Sequence, residues 1–184
     1  QWVSVGGDLV EASLWSPALA PEGRGRSCLL LDEAGAAPAL SSPEGMAANT
    51  PAESVEVAPP GAIVAEADPA VIRSGLLGVL ARQCGAGIVS EKIAYLTGDD
   101  LPPSPFYDRF EVLEVTNLRS KAIAAALRSR DARSVEIKKR GADINPDELR
   151  KALKLTGANP ELTVIATRVG GRHRAIICRR LPAN

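Results

Sequence analysis

From Leu118 onward the hydrophobic period alternates between that of a helix and that of a strand, which restricts this part of the chain to an α+β unit. Leu118 to Arg130 puts Ile123, Ala124 and Leu127 on one helical face. Val135 and Ile137 then alternate with Glu136 and Lys138, as a half-buried strand requires. Asn145-Pro146-Asp147-Glu148 is a helix start, with a capping amide, a proline in the first turn and an acid three residues after the cap. Leu149, Ala152 and Leu153 form the core face of that helix, and Gly157 is expected to close it. Leu162 to Arg168 and Arg172 to Arg179 predict a hairpin around Gly170-Gly171. The expected order is helix, strand, helix, strand, strand.

The preceding residues are less regular. Trp2 to Val5 and Leu9 to Trp15 flank Gly6-Gly7-Asp8 and predict a hairpin, and Ser27 to Leu31 is a third apolar run. Residues 32–60 are rich in Ala, Pro, Ser and Glu without a sustained period, so a long, poorly structured loop is expected. Gly61 to Ala65 is a strand candidate. Asp68-Pro69 then starts a helix whose face is Ile72, Leu76, Val79 and Leu80 and whose end is Gly85. Ile93 to Thr97 and Phe110 to Val115 are further strands, separated by a proline-rich loop.

Charge divides the chain at the same place. Leu118 to Asn184 holds 16 basic and six acidic residues, so it carries +10, and the remainder carries −10. The predicted organisation is therefore two small mixed α/β units, an acidic α+β domain over residues 1–116 and a basic one over residues 117–184. No apolar run reaches the ~20 residues of a membrane-spanning helix, so no membrane partner is expected. Cys28, Cys84 and Cys178 are too dispersed for a disulfide framework, and with His173 as the one histidine they make no zinc site. Buried thiols in a reducing cytoplasm are expected. Position 1 is Gln, and Trp2-Val3-Ser4-Val5 already reads as a strand, so a piece of a longer polypeptide is expected.

The candidate binding residues are all basic. Lys138-Lys139-Arg140-Gly141 ends a strand, with three adjacent cations and a glycine that permits close backbone approach to phosphates. A solvated strand end is the competing reading of that run alone. Arg168, Arg172 and Arg174 on the terminal hairpin, with Arg119 and Lys121 at a helix start, add weight to phosphate contacts. No aromatic residue lies in the basic region, which disfavours base stacking on a sheet and leaves recognition through backbone and shape. No catalytic or metal-binding residue is assigned. Pro103-Ser104-Pro105-Phe106-Tyr107 has the small-residue, proline, aromatic character of amino-methyltransferase loops, but no G-x-G turn between strand and helix accompanies it. His173 reads as a surface or phosphate-contacting residue, and Asp99-Asp100 as a solvated loop pair.

Several segments carry a family resemblance. They are Ala65 to Gly75, Ile93 to Thr97, Ser104-Pro105-Phe106, Val135 to Gly141 and Thr167 to Arg172. Together they resemble the C-terminal region of bacterial class I S-adenosylmethionine-dependent methyltransferase-like proteins that end in a THUMP-like domain. The resemblance implies a non-catalytic region that binds structured RNA, such as tRNA or rRNA, and presents it to an upstream methyltransferase domain of the same chain. It implies S-adenosylmethionine as the cofactor of that upstream domain, with none in this region. It also implies that residues 1–116 form a ferredoxin-like domain packing toward the catalytic one. Two alternatives stay open: a docking module that touches no nucleic acid, and a region that completes the active site through residues 103–107.

Overall fold

The computed structural model describes residues 1–20, 23–32, 34–43 and 52–182. The first part of the chain forms a four-stranded sheet of β1 (Trp2–Val5), β2 (Asp8–Ala12), β3 (Ser27–Leu31) and β4 (Ala39–Ser41), in the order β2-β1-β3-β4. Val5 pairs with Asp8 across Gly6 and Gly7, whose φ values are +57° and +89°. A two-residue turn with both φ positive matches the twist of its strands, and glycine adopts it without the clash a Cβ brings. β3 runs parallel to β1, and β4 lies within the stretch expected as loop. The parts of that loop at residue 33 and residues 44–51 lie outside the described residues.

A larger sheet follows, built from β5 (Ile63–Ala67), β6 (Gly87–Ser90), β7 (Ile93–Gly98), β8 (Tyr107–Asn117), β9 (Val135–Lys139), β10 (Leu162–Val169) and β11 (Arg172–Arg180), in the order β6-β7-β5-β8-β11-β10-β9. Among the described residues its α-helices are α1 (Pro69–Arg73), α2 (Leu77–Cys84), α3 (Ser120–Arg128) and α4 (Pro146–Leu153). The mixed α/β character read from the sequence is therefore present. β8 joins the two halves of the sheet, pairing through Tyr107–Glu111 with β5 and through Phe110–Asn117 with β11.

The helices cover one face. α1 and α2 pack Ala70, Val71, Leu76 and Leu80 between Cys28, Leu30 and Leu40 of the small sheet and Ala65, Ala67 and Leu96 of the large one. Further along, α3 and α4 bury Ile123, Leu127 and Leu153 against Val135, Val164 and Ile177. The opposite face closes on itself, with Val64, Tyr95, Phe110, Ile165, Ile176 and Cys178 wholly inaccessible to solvent. Strand twist makes this closure possible, and two contacts show it. Lys138 on edge strand β9 reaches Glu66 on β5, and the Gly170 amide donates to the Val89 carbonyl on the other edge strand, at 2.9 Å.

Three local expectations are corrected. The single helix expected from Asp68 to Gly85 is two helices, broken at Ser74-Gly75-Leu76 where Gly75 has φ +72°. Both pieces bury the same side, so the hydrophobic period runs through the break. β6 was not expected, because four residues with only Ile88 and Val89 as large apolar members carry no period. Finally, α4 ends at Leu153 with Lys154 in the left-handed conformation, φ +46°, rather than at Gly157. Gly157 instead lets two backbones meet, since a Cβ there would strike the Asp131 and Ala132 backbone.

Candidate nucleic-acid interface

Strand alternation decides where each cation of the 138–140 run points. β9 is paired in parallel with β10, Lys138 opposite Ile165 and Lys139 opposite Ala166. Lys138 and Arg140 therefore share the inner face with buried Ile165, and Lys139 turns the other way. Lys138 Nζ lies 2.7 Å from Glu66 and 3.4 Å from Glu136, with the Phe110 ring centroid 5.7 Å away. Arg140 lies 3.6 Å from Glu66 and stands 5.7 Å from the Tyr95 ring centroid. Arg180 completes the group, 2.6 Å from Asp108, 3.2 Å from Glu136 and 4.8 Å from the Phe110 centroid. Three cations and three carboxylates thus alternate over two aromatic faces.

The electrostatics of this network favour the charged forms. Burial disfavours the Lys138 ammonium, but the hydrogen bond and charge of Glu66, with Glu136 beyond, outweigh it and raise its pKa above the ordinary value. Burial likewise opposes the Glu136 carboxylate, and Lys138 and Arg180 overcome it, so that its pKa lies below the usual one. Arg180 is raised in the same sense by Asp108 and Glu136 against its own desolvation. Lys138 and Arg140 are consequently engaged with protein carboxylates.

The other six sequence-predicted cations gather at one end of the large sheet, where β8, β9 and β10 finish, β11 begins and α3 starts. Arg174 is opposite Asn117 on one side and Thr167 on the other, and Arg172 is opposite Val169. Arg119 is the N-cap residue of α3 and Lys121 lies in its first turn; no side chain caps that helix, so its first amides remain available to an acceptor. Arg168 Nε donates to the Gly141 carbonyl at 3.2 Å and Lys139 Nζ to the Ile144 carbonyl at 3.0 Å. Among the described residues, Arg119, Lys121, Lys139, Arg168, Arg172 and Arg174 have no carboxylate within salt-bridge distance; Arg174 is half-buried and the other five are exposed. His173, opposite Arg168, is exposed at the same end.

A cleft of about 530 Å³ opens between the small sheet and the large one, with Ser4, Glu66, Asp68, Asp108, Lys138 and Arg140 in its wall. Pro105 and Tyr107 also line it, but Phe106 packs into the core and the Tyr107 hydroxyl donates to the Pro102 carbonyl at 2.6 Å. Within the 103–107 segment Phe106 and Tyr107 are thus held by packing, while Pro103 and Pro105 are exposed. Asp99 is similarly occupied, accepting from the Ala62 amide at 3.0 Å. The junction of β5 and α1 is a strand-to-helix turn, and its residues do not fit S-adenosylmethionine. It has no glycine-rich loop, and Asp68 Oδ1 already accepts from the Ala70 amide and the Ser4 hydroxyl, both at 2.7 Å. Among the described residues no helix is long and apolar enough to cross a membrane.

Residues 108–180 match the profile of the family described as THUMP domain-like. The match opens within β8, before the boundary expected at residue 117. An uncharacterized S-adenosylmethionine-dependent methyltransferase of Mycobacterium tuberculosis strain H37Rv is 35% identical over 181 residues, 96% of this chain and 47% of its own length. Its counterpart in strain CDC 1551 / Oshkosh matches to the same extent. The chain thus spans about half the length of these curated relatives. The crystal structure of a protein from Porphyromonas gingivalis W83, described provisionally as a methyltransferase, shares the fold with a TM-score of 0.68 at 17% identity, covering 98% of this chain and 45% of that one.

Proposed function

We propose that this chain, whose residues 108–180 belong to the THUMP domain-like family and which is related along nearly its whole length to methyltransferase-named proteins, is the structured-RNA-binding region of a methyltransferase polypeptide. THUMP domains generally bind RNA, and tRNA or rRNA is the substrate class this reading assigns. The observation that carries it is the basic end of the large sheet, where six cations on four elements have no acidic partner among the described residues. Arg119, Lys121, Lys139, Arg168, Arg172 and Arg174 hold phosphates, and the amides opening α3 add donors of the same sense. Lys138 and Arg140 act mainly in the network with Glu66. Phosphate contacts position without reading sequence, so discrimination comes from RNA shape.

In this reading the chain contributes no catalytic residue. S-adenosylmethionine and the methyl transfer belong to the rest of the polypeptide, as the names of the relatives support. The basic residues from 117 onward act as the RNA-binding unit and residues 1–116 as its support. The free thiols fit a reducing cytoplasm. The test is charge reversal at Arg119, Lys121, Arg172 and Arg174. Structured RNA binding weakens steeply while the melting temperature stays within about 2 °C, as expected for three exposed sites and one half-buried one that make no ion pair among the described residues. Unchanged affinity in that variant overturns the reading.

One observation favours a second reading, in which the charge asymmetry holds protein to protein. Arg130, Lys138, Arg140, Arg179 and Arg180 pair with Glu114, Glu66, Glu111 and Asp108, all from the acidic part of the chain. If the region only docks, added salt loosens its packing, seen by X-ray scattering, and RNA does not bind.

A further inference from the structure

The first hairpin has a surface that neither the RNA reading nor the core uses. Among the described residues the large apolar side chains left exposed are Val5, Leu9, Val10, Leu14, Trp15, Leu19, Val57 and Val115, so six fall between residues 5 and 19. Leu14 is 92% exposed, Leu19 67% and Val10 59%. A soluble surface rarely concentrates such residues without a partner. β2 compounds the feature, because it is the edge strand of the small sheet and all five of its residues are exposed. Among the described residues nothing pairs with its outer edge, which offers unpaired amides and carbonyls; it carries Asp8, Glu11 and a bulge at Val10 but no proline or lysine.

We propose that β2 and the apolar residues from Leu9 to Leu19 form the docking seam for the catalytic portion of a methyltransferase polypeptide. The occupant follows from length and charge. This chain spans 47% of its curated relatives and 45% of the solved chain that shares its fold, so each of those proteins carries about as much chain again. Residues 1–20 hold Asp8 and Glu11 and no basic residue, so the seam is apolar with an acidic border. It fits a partner surface that is apolar, rimmed by lysine or arginine, and able to add a strand to β2. The RNA-facing cations lie on other elements, β9 to β11 and α3, so both surfaces can be occupied together. The inference rests on the reading that the chain works within a methyltransferase polypeptide, and not on its binding of RNA.

Hydrogen exchange tests it on two proteins as they exist, this 184-residue chain and the intact M. tuberculosis H37Rv relative. Amides on the outer edge of β2 exchange rapidly in this chain, and the aligned peptide of the intact relative exchanges at least tenfold more slowly. Equal exchange in both overturns the proposal. So does a dimer of this chain in sedimentation that Val10→Glu with Leu14→Glu dissolves, because the seam then belongs to a second copy. That double variant leaves tRNA affinity unchanged. Equal exchange with intact tRNA binding removes the docking seam alone, whereas loss of tRNA binding in the unaltered chain removes the RNA reading alone.

Discussion

Replacing Glu66 with alanine removes the carboxylate that Lys138 approaches at 2.7 Å and Arg140 at 3.6 Å. Glu66 and Lys138 side chains are each 21% exposed. Their pair therefore lies between an exposed bridge, about 0–1 kcal/mol, and a buried one whose breakage costs about 3–5 kcal/mol. Lys138 keeps Glu136 at 3.4 Å in the variant, which holds the expected cost to about 2 kcal/mol. For a chain of this size each kcal/mol is about 2–4 °C, so the melting midpoint falls by about 4–8 °C. Scanning calorimetry on the unaltered chain, Glu66→Ala, Lys138→Ala and the double variant isolates the coupling, expected at about 1 kcal/mol. RNA binding supplies the second readout. Glu66 competes with phosphate for both cations, so Glu66→Ala binds RNA at least as tightly as before. Single effects that add to within about 0.3 kcal/mol would refute the network as a source of stability.

Other outcomes follow from single sites. Asn145→Ala removes the acceptor of the Asp147 and Glu148 amides, at 3.0 and 3.3 Å, and costs about 1 kcal/mol, visible as a melting point about 2–4 °C lower. The depressed Glu136 pKa means that its stabilising contribution is complete above the unfolded carboxyl value and is lost as pH falls through the folded one. Glu136→Gln therefore loses less stability than the unaltered chain between about pH 5 and pH 3 in urea titrations. Burial pushes the Cys28 thiol up to about 11 and the Cys178 thiol up to about 12, so Ellman's reagent at about pH 8 reaches neither before unfolding. Fast modification of either would contradict its burial.

What could be read from the sequence was local. The Asn145 cap, the Gly6-Gly7 turn and the hairpin at Gly170-Gly171 each depend on a few adjacent residues, and each stands where the pattern put it. The convergence of Arg119, Lys121, Arg168, Arg172 and Arg174 on one end of a sheet was half legible, since strand ends and a helix start are local but their order in the sheet is not. Coiling of the sheet was not legible at all. It brings Glu66 of β5 to Lys138 of β9 and to Arg140 just beyond it, residues far apart in the chain and four strands apart in the sheet, and so pairs two of the expected phosphate ligands with a protein carboxylate. Arg180 was missed for the same reason: nothing near it in sequence points to Asp108 or Phe110.

Fluorescence anisotropy of this chain with labelled tRNA across a salt series tests the central claim most directly. The account predicts binding whose log affinity falls with log salt by about 0.7–0.9 per phosphate contact, with a slope shallower by about 3 in the Arg119, Lys121, Arg172 and Arg174 charge-reversal variant. No binding at low salt, or a slope the variant leaves unchanged, would contradict it.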